Sequence, residues 1–259
     1  GWSYIYGGKS GNSSADVRTG NTLKVKASGS YYRGMGNFEK LQFDLNSNVA
    51  NGSTMLGIGA AGVYRNDFEW SNISVTGDET WATATPGSKR VTLYTGGSLT
   101  LNNYDPVASR GTHGDIEYGL NTNAGSTAST VSASQIYFDS NQFKNANVTY
   151  NAGHLPAGET YAGRSTLGNE VHNNTLTIEG LTINNSFYGG YNASLTGDAN
   201  NNTLILKNVV SGGNVAQFGG YSQNGNAKNN TVVIDGSYES SGWSYIYGGK
   251  SGNSSADVR

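Results

Sequence analysis

A tripeptide recurs on a steady step of about 28 residues, the scale of one supersecondary unit in a repeat protein. Asn173-Asn174-Thr175, Asn201-Asn202-Thr203 and Asn229-Asn230-Thr231 each open an alternating apolar run: Leu176 and Ile178, Leu204 and Leu206, Val232 and Ile234. Apolar side chains at every second position mark a strand with one buried face. A unit of this size holds two or three such strands with their turns, and it cannot bury that face alone. It must stack on its neighbours, so the period predicts the coils of a β-solenoid. Upstream of each tripeptide lies an aromatic followed by small residues: Tyr161-Ala162-Gly163, Tyr188-Gly189-Gly190, Phe218-Gly219-Gly220 and Tyr247-Gly248-Gly249. The steps between these aromatics are slightly unequal, which places length variation in loops while strands keep step. The Gly-Gly pairs and tracts such as Asn224-Gly225-Asn226 read as corners with positive φ. Stacked Asn and Thr columns are expected at Asn173, Asn201 and Asn229 and at Thr175, Thr203 and Thr231, with amides bonded up and down the stack. The alternation predicts that Leu176, Ile178, Leu204, Leu206, Val232 and Ile234 are buried, and that Thr177, Ile205 and Val233 are more exposed.

A second, longer repeat encloses the first. Residues 1–18, GWSYIYGGKSGNSSADVR, recur without change as residues 242–259. The chain therefore reads as a window on a longer tandem polymer with a unit of about 241 residues. A looser copy of the strand motif, Asn21-Thr22-Leu23-Lys24-Val25, continues the short period after the repeated segment.

Composition narrows the class further. Gly (38) and Asn (32) dominate the 259 residues, and only 13% are charged, against ~25% in an average domain. A coiled coil needs far more Ala, Glu, Lys and Leu, while 11% aromatics argue against charge-driven disorder. The formal net charge of −2 gives no field to recruit nucleic acid or anionic lipid. With no cysteine, disulfides, thiolate zinc sites and thiol nucleophiles are excluded. That fits an exported chain crossing membranes unfolded. No apolar run reaches the length a membrane-spanning helix needs, so no helical span is expected, and no targeting signal is read in this window.

Residues 36–160 lack the short period. They still read as strands and turns, with apolar runs at Leu41–Leu45, Arg90–Tyr94, Ser98–Leu101, Ile136–Phe138 and Val148–Tyr150, and with helix signals nearly absent. The expected fold is all-β: a parallel, right-handed β-solenoid or β-helix with coils of about 28 residues and an irregular β-rich middle. Its expected parts are solenoid coils over 1–35, the irregular section over 36–160 and regular coils over 161–259.

The run Phe218-Gly219-Gly220-Tyr221-Ser222-Gln223-Asn224-Gly225-Asn226-Ala227-Lys228-Asn229-Asn230-Thr231-Val232-Val233-Ile234 resembles the YGGYS…GNA.NNTVTI repeats of large autotransporter-type, adhesin-like surface proteins of fusobacteria and diderm Firmicutes. Asn37-Phe38-Glu39-Lys40-Leu41-Gln42-Phe43, continuing to Asn51-Gly52-Ser53-Thr54-Met55-Leu56, resembles the NFEKLNF…NGDTML segment that follows such repeats, with Ser53 in place of its acidic residue. The resemblance implies a passenger-type β-solenoid exported through the outer membrane and displayed on the cell surface. The expected role is thus a non-enzymatic structural unit of an extracellular fibre or adhesin stalk, partnered by further copies of itself. A module that binds surface glycans or host receptors is the alternative, and a polysaccharide-degrading β-helix enzyme a lesser one.

Catalytic constellations are sparse. His113, His154 and His172 are scattered, and no serine elbow accompanies them. Gly8-Lys9-Ser10 ends like a phosphate loop but lacks the leading glycine. Glu179, Lys207 and Asp235 share one column, an acid-base-acid series that reads as a compensated surface ladder. Asp78-Glu79 reads as a solvated turn. No cofactor, metal site or catalytic residue is assigned. The candidate contact residues are aromatic: Trp2, Tyr4 and Tyr6, repeated as Trp243, Tyr245 and Tyr247, alternate and so share one strand face. Facing inward they would be core; facing outward they would form a strip suited to sugar stacking or chain–chain contact.

Overall fold

Extended backbone needs hydrogen-bond partners on both sides, and a chain of short repeats can draw them from its own adjacent coils. The computed structural model describes residues 3–12, 14–84, 88–124, 128–156 and 161–258. Strand accounts for 57% of the structure and helix for 4%, and parallel strands stack into a β-solenoid of about eight turns with a roughly 28-residue coil. The chain divides into two compact units: Gly1–Thr85 with Lys89–Gly111 and Tyr118–Ser140, and Pro86–Ser88 with Thr112–Glu117 and Asn141–Arg259.

In the second unit, one parallel sheet stacks Asn147–Tyr150, Thr175–Glu179, Thr203–Ser211 and Thr231–Ser240. Thr175, Thr203 and Thr231 are in register, as are Leu176, Leu204 and Val232. A second parallel sheet stacks Tyr161–Ser165, Phe187–Asn192, Val215–Ser222 and Ser244–Ser251. Short strands Val171–His172 and Ala199–Asn200 form a third face. Leu176, Ile178, Leu204 and Leu206 are fully buried, each contributing about 1.5–3 kcal/mol of apolar burial. Two expectations fail. Ile234 is 50% exposed and Val232 only half-buried, because among the described residues their strand pairs on one side only, with Thr203–Ser211. Thr177 is buried rather than exposed, while Ile205 is half-buried and Val233 exposed, as expected.

The glycine pairs are not corners. Gly189, Gly190, Gly219, Gly220, Gly248 and Gly249 lie inside strands. Positive φ is supplied instead by Asn173 (58°), Asn201 (56°) and Asn229 (55°), and at the next corner by Gly180, Asn208 and Gly236. Asn tolerates the left-handed region better than other side chains, which suits it to a one-residue corner.

In the first unit, Thr22–Val25, Lys40–Asp44 and Ile73–Thr76 stack in parallel, aligning Leu23 with Leu41 and Ile73. A larger sheet begins Tyr4–Tyr6, Ser30–Gly36, Thr54–Tyr64 and Lys89–Asn102, all parallel. Thr130–Gln142 then pairs antiparallel with Lys89–Asn102, within the section that lacks the short period. Asp78–Thr83 is a short helix, contrary to the solvated-turn reading. Gly77 at φ 72° starts it, and Trp81 is buried with its Nε1 donating to the Val49 carbonyl at 2.7 Å.

A buried carboxylate ties loops of the second unit together. Glu117 accepts hydrogen bonds from Ser165 Oγ (2.8 Å), Asn169 Nδ2 (2.7 Å), Asn141 Nδ2 (3.2 Å) and the backbone N–H groups of Thr166 (2.8 Å) and Leu167 (3.3 Å). Burial pushes its carboxyl above the ordinary glutamate value, and these donors pull back against that shift. Glu117→Ala would orphan buried donors and should cost about 3 kcal/mol or more in denaturant unfolding. Because the folded value is raised, the stability tied to protonation is full below the ordinary glutamate range and falls as pH rises through the folded value. The stability margin of the native chain over Glu117→Gln should therefore shrink as pH rises above the ordinary glutamate range. A margin that widens with pH would contradict this balance.

Candidate functional site

The repeated motif builds a column of buried amides and a column of aromatic rings. The buried column runs through the second Asn of each tripeptide. Asn174 Nδ2 donates to Asn202 Oδ1 at 2.8 Å, and Asn202 Nδ2 to Asn230 Oδ1 at 3.1 Å. The same oxygens accept from backbone: Ala146 N to Asn174, Asn174 N to Asn202, and Asn202 N to Asn230, at 2.9–3.2 Å. Each amide also donates to a carbonyl of the adjacent coil, at Phe143, Val171 and Ala199. The ladder expected at Asn173, Asn201 and Asn229 thus belongs to the following residue. The first Asn turns the corner, and the turn swings the second one inward. Thr175, Thr203 and Thr231 do form a register column.

In Gly189-Gly190 and Gly219-Gly220 the second glycine makes room for these amides, and the first for backbone. A Cβ at Gly163, Gly190 or Gly220 would stand 2.3–2.4 Å from the side chain of Asn174, Asn202 or Asn230. At Gly189 and Gly219 it would meet backbone carbonyls at 2.4–2.5 Å. The repeated Gly therefore leaves room that the Asn of the same coil fills.

The second column is aromatic: Tyr161, Tyr188 and Tyr247 are half-buried and Phe218 is buried. Tyr161, Tyr188, Phe218 and Tyr247 are in register. Tyr188 and Phe218 stack at 4.8 Å and 2°, Phe218 and Tyr247 at 5.2 Å and 8°. A parallel row adds Tyr191 and Tyr221, 5.6 Å apart. Arg164 lies over Tyr161 at 5.2 Å and Lys250 over Tyr247 at 4.9 Å. Burial pushes the Tyr188 and Tyr191 hydroxyls above their ordinary value, so both remain neutral donors.

The outward alternative holds for the terminal aromatics. Tyr4 and Tyr6 are 45% and 51% exposed, Tyr245 and Trp243 52% and 74%, and Tyr247 is half-buried. Ile5, between Tyr4 and Tyr6, points the other way and packs on the core of the first unit. Trp2 lies outside the described residues.

The charged candidates stay apart. Glu179, Lys207 and Asp235 do share a column, with Lys207 Nζ 3.9 Å from Asp235. His154 Nδ1 lies 2.9 Å from the Thr149 carbonyl, and His172 bridges to Lys144 by backbone. Among the described residues no group of three or more His, Cys, Asp or Glu could hold a metal ion. A cleft of about 320 Å³ in the first unit is lined by Asp78, Arg110, Tyr118 and Phe138 among others. No described helix is long and apolar enough to cross a membrane. No protein-family model, curated protein or solved structure matches the chain.

The two asparagines of a tripeptide should respond oppositely to substitution. Asn202→Ala leaves buried donors on Asn174 without acceptors and should cost about 3 kcal/mol. Asn201→Gly, at a left-handed position, should be nearly neutral, within about 0.5 kcal/mol. Gly190→Ala should cost more than about 2 kcal/mol, because the Asn202 amide occupies its Cβ position. Chemical denaturation of the three variants checks the order, and equal costs at Asn201 and Asn202 would refute the assignment.

Proposed function

We propose that the chain is a structural unit of an extracellular bacterial surface fibre or adhesin stalk, similar to the large autotransporter-type proteins its repeats resemble. The observation that carries the reading is propagation without a unique site. Asn174, Asn202 and Asn230 repeat the same bonds coil after coil, and the segment at residues 1–18 recurs whole at residues 242–259. Such a ladder adds length at constant chemistry and resists extension through backbone bonds along the axis, without covalent crosslinks. In the regular coils Glu179 and Asp235 share a column with Lys207 between them, an arrangement suited to solubility rather than to paired-carboxylate catalysis. The role is accordingly non-enzymatic, and its main partners are further units in series.

A second reading draws on the exposed aromatics. Trp243, Tyr245, Tyr4 and Tyr6 offer flat apolar faces with hydroxyl rims, which suit stacking on sugar rings of surface glycans or host receptors.

Antibodies raised against the chain test the first reading. Intact, unpermeabilised source cells should be labelled along filaments at a regular spacing. Labelling that requires permeabilisation would defeat it. On a glycan array, binding abolished by Trp243→Ala with Tyr245→Ala would establish the second, and an array without signal would dismiss it.

A further inference from the structure

The turn at Asn12 and its counterpart Asn253 keeps the same hydrogen bonds in both copies of the repeated segment. In the first copy Asn12 N donates to Ser10 Oγ at 3.0 Å, Ser14 N to Asn12 Oδ1 at 2.9 Å and Ala15 N to the Asn12 carbonyl at 3.1 Å. In the second copy Asn253, Ser255 and Ala256 make the same bonds at 3.0, 2.9 and 3.2 Å. Tyr4 and Tyr6 stack at 6.2 Å, as do Tyr245 and Tyr247.

What differs is the edge each copy uses. The second copy pairs with the strand before it, Val215–Ser222, and the Trp243 carbonyl accepts from Val215 N at 3.3 Å. The first copy pairs with a strand after it, Ser30–Gly36: Ser3 O accepts from Arg33 N at 2.8 Å, and Gly7 N donates to Gly36 O at 3.0 Å. Ser3 corresponds to Ser244, the neighbour of Trp243. Successive residues of a strand present their backbone groups to opposite edges. Trp243, Tyr245 and Tyr247 therefore face Val215–Ser222; the alternation resets beyond Gly248, so that Gly252 N again donates to the Ser222 carbonyl at 3.0 Å. Ser244, Ile246 and the Gly248 N–H face away. Those are the counterparts of Ser3, Ile5 and Gly7, the residues through which the first copy meets Ser30–Gly36. No backbone group is claimed twice, so one strand can hold both neighbours.

Side chains agree with the backbone. Ile5 packs on the core beside Ser30–Gly36, whereas its counterpart Ile246 is exposed. The Tyr4 and Tyr6 rings lie over Gly34 and Gly36, where a Cβ would stand 3.2 and 3.3 Å from them, and Arg33 covers Tyr4 at 5.8 Å.

Resting on the tandem-unit reading, we propose that the repeated segment is a shared coil. The edge of Ser244–Ser251 turned away from Val215–Ser222 is the seat for a strand of sequence Ser30–Gly36 from a following unit of the same protein. Tyr245 and Tyr247 then cover that unit's glycines as Tyr4 and Tyr6 do here, and the last coil of one unit is the first coil of the next.

Residue-resolved amide hydrogen exchange tests this on the intact chain and on a chain extended after Arg259 by residues 19–259. In the intact chain Tyr245 and Tyr247 should be protected, while Ile246 and Gly248 exchange freely; Ile5 and Gly7 should be protected, while Tyr4 and Tyr6 exchange freely. In the extended chain Ile246 and Gly248 should gain at least about 100-fold protection. Placing Gly34→Val and Gly36→Val in the appended unit alone should abolish that gain. Two results would overturn the proposal. One is Ile246 and Gly248 remaining unprotected while Leu204 and Leu206 and their appended counterparts show both units folded. The other is protection in the unextended chain that grows with protein concentration, which would mean sideways pairing between molecules. The first result leaves the fibre reading standing, since units joined by unstacked linkers can still be displayed in series.

Discussion

The side-chain amides of Asn174, Asn202 and Asn230 occupy space that a Cβ on the facing glycine would need. Most features of the regular coils depend on that substitution of one group for another. Buried amides are tolerable only when their donors and acceptors are met, and here each amide is met from the coils beside it. The requirement fixes coil-to-coil register more strictly than apolar packing could, because a slip of one residue would bury unpaired amides as well as turn Leu204 outward. It also fixes the order of the tripeptide: a left-handed Asn to turn, a buried Asn to bond, a Thr to begin the strand.

The period, the strands and the apolar face are legible because each rests on alternation, which sequence records directly. The role of the glycines is not. Glycine serves two unrelated ends, access to positive φ and absence of a Cβ, and nothing in a Gly-Gly pair separates them. Tyr188-Gly189-Gly190 therefore reads as a corner when it is a strand interior. The same ambiguity exchanges the roles of Asn201 and Asn202, since both sit at the same period. The aromatic face stays open for a related reason: alternation groups Tyr4 with Tyr6 but cannot say which face is inside. The helix at Asp78–Thr83 is too short for a periodic signal, and the antiparallel turn of the sheet at Thr130–Gln142 has no repeat to announce it. Glu117 is invisible in sequence because its donors lie far along the chain, at residues 141 and 165–169.

A ladder of this kind has a consequence for assembly. Every solenoid coil presents two edges, and an unpaired edge is a template for another strand. The two copies of the repeated segment are held by opposite edges, and the proposed shared coil would use both. The largely buried aromatic column runs beside the ladder in the same register, so its rings stack at the spacing of the coils that the amides join.

Exchange of the side-chain amide protons of Asn174 and Asn202, followed by NMR after selective labelling, reads the central claim directly. If the column holds the coils together, these primary amides should exchange only through the openings that release the backbone amides of Leu204 and Leu206, at the same slow rates and with the same denaturant dependence. Exchange at the rates of free asparagine side chains, with the backbone still protected, would mean that the amides are solvated and that apolar packing alone sets the register.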